Sequence, residues 1–153
     1  MLKVGDKTPE FQAIDSEGSP FTSEDLLGSV TVLYFYPKDE TPGCTKEACD
    51  FRDKMADLER RGILVIGVSP DNLASHQNFI ENHELNFCLL SDSSLEMCRL
   101  FEVLSEKNVH GKKVQGVERT TFIIDDKGII RWIERPVTVE NHITRVLRAL
   151  DDL

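Results

Sequence analysis

Two cysteines, Cys44 and Cys49, lie five residues apart, just beyond a turn that contains proline and glycine. The preceding stretch Val30–Tyr36 is almost continuously apolar, β-branched and aromatic, which predicts a buried strand. The turn that follows delivers Cys44 to the predicted start of a helix. Unpaired backbone N–H groups and the positive end of the helix macrodipole converge at a helix N-terminus. Both stabilise a thiolate, which is the reactive form of cysteine.

The residues just before Cys44 suggest what this thiolate could attack. The N–H groups that stabilise the sulfur can also bind an oxygen atom brought close to it. Thr41, three residues before Cys44, can point its hydroxyl into the same pocket. Pro37, which closes the strand, can shield the sulfur from bulk water. The pattern therefore predicts an activated thiol with a polar pocket beside it.

Cys49 is placed to trap whatever Cys44 becomes. In an unbroken helix the two Cα atoms would be about 8–9 Å apart and on different faces. A disulfide tolerates a Cα separation of at most about 7 Å. Either the bond never forms, or the first turns of the helix unwind. We favour unwinding because Pro42 and Gly43 supply a flexible edge, and we expect Cys44 to be oxidised to sulfenic acid and then to condense with Cys49.

Other interpretations of the cysteines and histidines remain. Buried free cysteines are common, so neither thiol of the pair has to react. Cys88, in an apolar stretch, and Cys98, in a predicted helix, are expected to be core residues. The spacing of Cys44 and Cys49 is wide for a zinc-binding pair, and no second tight pair exists. The four histidines are scattered along the chain, and surface or partly buried positions explain them: His76, His83, His110 and His142.

Composition narrows the class of protein. The 153 residues fit one domain, 1–153, with a substantial core. The net charge of -9 argues against nucleic acid and anionic lipid as partners. No stretch approaches the roughly 20 apolar residues of a membrane span, and the first residues lack the apolar core of a signal peptide. We therefore expect a cytoplasmic protein, and the absence of a Gly-rich phosphate loop and of HExxH indicates neither cofactor nor metal.

Hydrophobic periodicity and turn residues predict the elements. Strands are predicted at Val30–Tyr36, Ile63–Val68, Phe87–Leu90, Thr121–Ile124 and Ile129–Ile133. Phe11–Asp15 and residues 17–21 predict an N-terminal hairpin around a glycine turn. Helices are predicted from Cys44 to Arg61, from Asn72 to His83, from Ser94 to Phe101 and at the C-terminus. This order predicts an α/β, thioredoxin-like fold, with a central mixed sheet flanked by helices and an N-terminal β-hairpin.

The stretch from Phe35 to Asp53 resembles the active-site signature of the peroxiredoxins, and more closely that of the bacterioferritin comigratory protein subfamily, also called PrxQ. It reads Phe35-Tyr-Pro37-Lys-Asp-Glu-Thr41-Pro-Gly-Cys44-Thr-Lys-Glu-Ala-Cys49-Asp-Phe-Arg-Asp. Three further segments are similar to the same family: Gly5-Asp-Lys-Thr-Pro9-Glu-Phe, Leu89-Leu-Ser-Asp and Gly116-Val-Glu-Arg119-Thr-Thr-Phe-Ile-Ile-Asp. The resemblance covers nearly the whole chain.

The resemblance implies a role for each matching residue. Cys44 would be the peroxidatic cysteine, and Pro37 and Thr41 the proline and threonine of the PxxxTxxC pattern. Arg119 would hold the thiolate and the peroxide, and Cys49 would be the resolving cysteine. It also implies an intramolecular disulfide that is reduced by thioredoxin or a similar dithiol donor, and a monomer.

The sequence therefore predicts a thiol peroxidase that reduces hydrogen peroxide and organic hydroperoxides. Glu40, just before the Thr-Pro-Gly turn, is a departure from the family pattern. A carboxylate near the pocket would oppose thiolate formation, and we expect the Glu40 side chain to point to solvent. Two alternatives stay open. One is a peroxide-sensing thiol switch or chaperone-like protein, and the other is a metal-binding thioredoxin-fold module with cysteine ligands. The absence of a CxxC motif disfavours a disulfide reductase.

Overall fold

The computed structural model describes residues 1–153, which form nine strands, four α-helices and one short 3-10 helix at Ser23–Leu26. In chain order the elements are β1 (Gln12–Asp15), β2 (Pro20–Thr22), β3 (Thr31–Phe35), α1 (Pro42–Arg60), β4 (Leu64–Ser69), α2 (Leu73–His83), β5 (Cys88–Ser91), α3 (Glu96–Leu100), β6 (Leu104–Val109), β7 (Lys112–Val117), β8 (Thr120–Ile124), β9 (Ile130–Glu134) and α4 (His142–Asp151). Seven strands form one mixed sheet in the order β2-β1-β5-β4-β3-β8-β9, and β6 pairs with β7 alone.

Strand β3 lies in the middle of the sheet and leads into the Cys44 turn. It pairs in parallel with β4 and antiparallel with β8, and all five of its residues are buried. Because both faces of the strand are covered, its sequence is nearly continuously apolar rather than alternating. Val32 and Tyr34 pack on one face with α1, α2 and α4, whereas Leu33 and Phe35 pack on the other with α3. The predicted mixed sheet with helices on both faces is confirmed.

Helix α1 carries both cysteines of the pair. Thr41 is its N-cap residue and Pro42 occupies the first turn, where a missing N–H costs nothing. The buried stripe runs along one side of the helix at spacings of three and four: Cys44, Glu47, Ala48, Phe51, Met55 and Leu58. Gly62, with φ +72, stops the helix where an L-residue would be strained. The stripe and the end of this helix match the prediction, except that the stripe also contains Glu47.

The N-terminal hairpin of β1 and β2 is confirmed, but two other elements differ from the prediction. The hairpin β6–β7 was not predicted, because its mostly exposed residues include no apolar alternation. Helix α3 is shorter than the predicted Ser94–Phe101, because Leu95 takes a left-handed conformation with φ +65 and the helix begins only after it. None of the helices combines the length and apolar composition that crossing a membrane requires.

Candidate active site

Cys44 occupies the first turn of α1, where the sequence predicts it. The backbone N–H of Thr45 closes that turn on the carbonyl of Thr41 at 2.8 Å. Only 1% of the Cys44 surface is exposed, and its side chain belongs to the apolar cluster on the α1 face of the sheet. The free N–H groups of the first turn and the helix macrodipole both favour negative charge at this position.

Arg119 approaches the same sulfur from the segment between β7 and β8. Its Nη2 donates to Sγ of Cys44 at 3.4 Å, and its Nη1 donates to Oε1 of Glu47 at 2.7 Å. Burial lowers the pKa of Arg119, but the charges of Glu47 and Cys44 outweigh it and the net pKa is raised. The guanidinium therefore stays charged and stabilises a thiolate at Cys44.

Gly43 makes room for this arginine. A Cβ atom at position 43 would lie 3.3 Å from Nη2 of Arg119 and 3.9 Å from Cγ2 of Val139. The first distance is shorter than an ordinary van der Waals contact. A side chain here would therefore press on the guanidinium that faces the sulfur.

Glu47 is a site residue that the sequence analysis missed. It lies one helical turn after Cys44 and is fully buried, with 1% of its surface exposed. Burial raises the pKa of its carboxyl to about 7, even though Arg119 pulls in the opposite direction. Its Oε2 accepts no hydrogen bond, although Nδ1 of His142 lies 3.2 Å away. The sequence signal that could have identified Glu47 is its position within the otherwise apolar stripe of α1.

His142, at the start of α4, completes this buried chain of side chains. Burial lowers its pKa to about 4, so the ring is neutral at physiological pH. Its Nε2 lies 3.0 Å from the hydroxyl of Thr121. When the ring proton is on Nδ1, Nε2 accepts from the Thr121 hydroxyl; in the other tautomer Nε2 donates to it. Spacing along the chain gave no reason to connect this histidine with Cys44.

Pro37 and Thr41 lie in the segment that connects β3 to α1. Pro37 is the second residue after the end of β3 and is half-buried. The Thr41 hydroxyl donates to the carbonyl of Lys38 at 2.8 Å. Because its proton is used inside the turn, the oxygen of Thr41 is left to accept a hydrogen bond from a bound molecule. Glu40 is exposed but does not simply point to solvent, because its carboxylate contacts Asn82 and His83 at the end of α2.

The remaining thiols fall into two groups. Cys49 is half-buried and free, and it lies in the same unbroken helix as Cys44. The structure is therefore the dithiol form, with the pair held apart by helix geometry. Burial raises the pKa of Cys88 to about 11 and raises that of buried Cys98 further, which keeps both protonated.

Comparison with known proteins identifies the family. The model of the AhpC/TSA family matches residues 4–133. This chain belongs to the AhpC/TSA family. It is 44% identical over 149 residues to a putative peroxiredoxin bcp of Coxiella burnetii, covering 97% of this chain and 99% of the relative. It is 40% identical over 152 residues to peroxiredoxin Bcp of Bacillus subtilis, covering 99% and 97% respectively.

Solved AhpC/TSA structures agree in fold. The bacterioferritin comigratory protein of Xanthomonas campestris superposes with a TM-score of 0.91 at 38% identity, over 99% of this chain and 97% of that one. Peroxidoxin BcpB of Mycobacterium tuberculosis gives a TM-score of 0.88 at 32% identity, over 100% and 99%. The resemblance to the Bcp/PrxQ group and the thioredoxin-like fold are confirmed. The activity of this protein is the thiol-dependent reduction of peroxides, and it is an oxidoreductase.

Proposed function

We propose that Cys44 is the peroxidatic cysteine and that Arg119, Thr41 and Pro37 shape its peroxide pocket. The observation that carries this assignment is the contact between Nη2 of Arg119 and Sγ of Cys44, 3.4 Å, at the N-terminus of α1. It places a permanent cation and free backbone N–H groups around one sulfur. Neither buried Cys98 nor Cys88 has such surroundings.

The first step follows from these donors and acceptors. The Cys44 thiolate attacks the terminal oxygen of the peroxide and the O–O bond breaks. The leaving alkoxide or hydroxide takes up a proton, equivalent to the one that the Cys44 thiol released on ionising, and departs as alcohol or water. Arg119 and the backbone N–H groups stabilise the charge on the oxygens, while the oxygen of Thr41 accepts a hydrogen bond from the peroxide O–H. Such alignment and charge stabilisation contribute several kcal/mol to lowering the barrier. Cys44 is left as a sulfenic acid.

Cys49 is the proposed resolving cysteine. After the first turns of α1 unwind, its sulfur attacks the sulfenic sulfur of Cys44, water leaves, and an intramolecular disulfide forms. A dithiol donor such as thioredoxin then supplies two electrons by thiol–disulfide exchange. The position of Cys49 five residues along the same helix supports this choice, and so do the raised pKa values of Cys88 and Cys98, which keep those two thiols protonated.

The same proposal covers the substrates, the cellular location, the partners and the oligomeric state. The substrates are hydrogen peroxide and small organic hydroperoxides, and the related Xanthomonas protein has been studied for alkyl peroxide reduction. The four free thiols support a reducing, cytoplasmic location. The net charge of -9 supports the absence of nucleic acid and membrane partners. Two apolar clusters on the two faces of one sheet support a single domain, and we propose that it acts as a monomer.

Three cysteine variants test the assignment. Cys44→Ser should abolish peroxide consumption with thioredoxin and its reductase present, whereas Cys88→Ser, the matched control, should retain it. Cys49→Ser should leave Cys44 as a sulfenic acid, which a dimedone probe traps. Mass mapping of the wild-type protein after one equivalent of peroxide should find the Cys44–Cys49 disulfide. Normal turnover by Cys44→Ser, or a disulfide to Cys88 or Cys98, would overturn the assignment.

Steady-state turnover separates the enzyme from a peroxide sensor. An enzyme consumes many equivalents of peroxide per chain when the reductase system is present, whereas a sensor is oxidised once and then stops. We expect continuous NADPH consumption that is proportional to the concentration of this protein. A single burst of one equivalent would favour the sensor.

A further inference from the structure

The turn that leads to Cys44 is anchored by one buried side chain, Asp39. Only 4% of Asp39 is exposed. Its Oδ1 accepts from the hydroxyl of Tyr36 at 2.7 Å, and its Oδ2 accepts from the hydroxyl of Ser75 at 2.8 Å. Its backbone N–H donates to Oδ2 of Asp71 at 2.8 Å. The fourth contact, between Oδ2 and Nδ1 of His76, is 2.7 Å.

His76 is charged in this arrangement. Its Nε2 lies 2.9 Å from the carbonyl oxygen of Leu90, which can only accept, so Nε2 carries a proton. Its Nδ1 faces the Asp39 carboxylate, so that nitrogen carries a proton as well. Burial lowers the pKa of His76, but the hydrogen bond and the charge of Asp39 outweigh it and the net pKa is raised. The result is a buried imidazolium–carboxylate pair, which holds more strongly than neutral hydrogen bonds.

This pair joins the turn to α2 and to the sheet. Asp39 lies in the turn between Pro37 and Thr41, His76 lies in α2, and the Leu90 carbonyl belongs to β5. The Thr41 hydroxyl takes its direction from the carbonyl of Lys38, which is the residue just before Asp39. A shift of Asp39 therefore moves the acceptor that orients Thr41.

The potential ligands Asp39, Asp71 and His76 do not indicate a metal site. Their ligand atoms lie within 4.8 Å of one another. However, each of these atoms is engaged: Oδ2 of Asp71 accepts from Ser69 and from the backbone of Asp39, and both ring nitrogens of His76 are bonded. The cluster is a closed hydrogen-bond network that holds a backbone turn.

We propose that His76 and Asp39 are positioning residues for peroxide reduction, which fix the turn that presents Thr41 to the peroxide. This proposal rests on the proposed roles of Cys44 and Thr41. Neither residue hydrogen-bonds to the sulfur, so their effect is on the alignment of the peroxide and not on the reactivity of the thiol. A misplacement of about 1 Å can cost a reaction about a hundredfold.

Two substitutions of His76 separate positioning from general support of the fold. The amide nitrogen of an asparagine falls near Nδ1 of a histidine, and that of a glutamine near Nε2. His76→Asn therefore keeps a donor to Asp39 and loses the bond to Leu90, whereas His76→Gln does the reverse. Each variant loses the charge of His76 and one buried hydrogen bond. His76→Gln loses the bond to the buried carboxylate and is expected to be the less stable of the two, so the unfolding free energy of each variant is measured and oxidation is compared where both are fully folded.

The readout is the second-order rate of Cys44 oxidation by hydrogen peroxide, compared with the rate of alkylation by iodoacetamide. Alkylation needs the thiolate but no aligned peroxide. We expect His76→Gln to oxidise about tenfold or more slowly than wild type, and His76→Asn to stay within about threefold, with alkylation equal in both. Equal oxidation rates in the two variants, or a parallel fall in alkylation, would overturn the proposal.

A milder variant keeps the test decisive should the His76 substitutions prevent folding. Ser75→Ala removes one hydrogen bond to Asp39, and we expect about threefold slower oxidation with unchanged alkylation. Ser23→Ala, the matched control, removes the hydrogen bond that the Ser23 hydroxyl accepts from the backbone of Phe11, outside the Asp39 network, so its rates should match wild type. Oxidation by Ser75→Ala at the wild-type rate would contradict the proposal. Failure of the proposed function would show differently, as wild-type protein in which peroxide does not oxidise Cys44.

Discussion

Replacement of Glu47 by glutamine should make the protein more stable and less active at the same time. The carboxyl of Glu47 is fully buried, and its pKa is raised from 4.5 to about 7. Between these two values the folded chain holds a proton that the unfolded chain has released, so stability falls as the pH rises. The shift corresponds to about 3 kcal/mol, which is fully lost only above pH 7.

Glutamine resembles the protonated carboxyl, so Glu47→Gln should escape this loss. We expect the variant and wild type to have nearly equal unfolding free energies near pH 4, below both pKa values, and the variant to be more stable by about 3 kcal/mol near pH 8. Urea unfolding of the reduced proteins at several pH values measures this difference, with the fluorescence of the single tryptophan, Trp132, as the signal. The other titrating groups contribute equally to the two unfolding free energies, so their contributions cancel in the difference between variant and wild type.

The oxidation rate of the same variant should move in the opposite direction. A glutamine can still accept from Arg119 but lacks the negative charge of the carboxylate at 2.7 Å, so it holds the guanidinium toward Cys44 less firmly. We expect Cys44 oxidation near pH 8 to slow by about tenfold. Glu59→Gln, an exposed change on the same helix, should alter stability by less than about 0.5 kcal/mol and leave the rate unchanged. A Glu47→Gln protein that is less stable than wild type at pH 8, or a stability difference that does not vary with pH, would refute the reasoning.

Three further predictions follow from the site. Gly43→Ala should slow the oxidation of Cys44 about fivefold, because the added methyl group presses on Arg119. Its melting temperature should equal or exceed that of wild type, because alanine favours the helix. An unchanged oxidation rate would contradict the 3.3 Å contact. The pKa of His142 is lowered from 6.5 to about 4, so the folded protein loses about 3 kcal/mol of stability as the pH falls between these values. His142→Asn has no group that titrates at this position, so its acid unfolding curves should lack this loss. Amide exchange across residues 42–50 should be faster in the oxidised protein than in the dithiol form, and equal protection would rule out the unwinding of α1.

Elements with local signals could be predicted from the sequence. Strand β3 is recognisable because a buried central strand has an unbroken apolar run, and α1 because its apolar residues recur at spacings of three and four. The hairpin β6–β7 escaped prediction because its side chains are mostly exposed, so no pattern of burial marks it. Its pairing is fixed by backbone hydrogen bonds, which any residue except proline can make.

The partners of Cys44 could not be found in the same way. Arg119 is 75 residues away, and only the packing of β8 beside β3 brings it to the start of α1. The family resemblance named this arginine, but it did not name Glu47 or His142. Periodicity treats a glutamate in a helix as a solvated residue, and only the fold shows that position 47 faces the core. Contacts between distant segments depend on tertiary structure, which local sequence patterns do not encode.

The position of Glu47 between the two cysteines gives it a second consequence. The turns that must unwind for Cys44 and Cys49 to meet include Glu47, and unwinding returns its carboxyl to water, where its pKa is ordinary. Above pH 7 the buried, ionised carboxylate therefore lowers the free-energy cost of unwinding by up to about 3 kcal/mol, a figure that already includes its contact with Arg119.

The step from sulfenic acid to disulfide should therefore be slower in Glu47→Gln than in wild type at pH 8. A barrier change of about 1.4 kcal/mol is tenfold in rate, so a slowing of at least about tenfold is expected. Acid quenching and mass analysis of the Cys44–Cys49 disulfide after one equivalent of peroxide measure this step separately from oxidation. At pH 4, where Glu47 is mostly protonated in both the helical and the unwound segment, the two proteins should form the disulfide at nearly the same rate. A variant that closes the disulfide as fast as wild type at pH 8 would show that the buried charge does not assist unwinding.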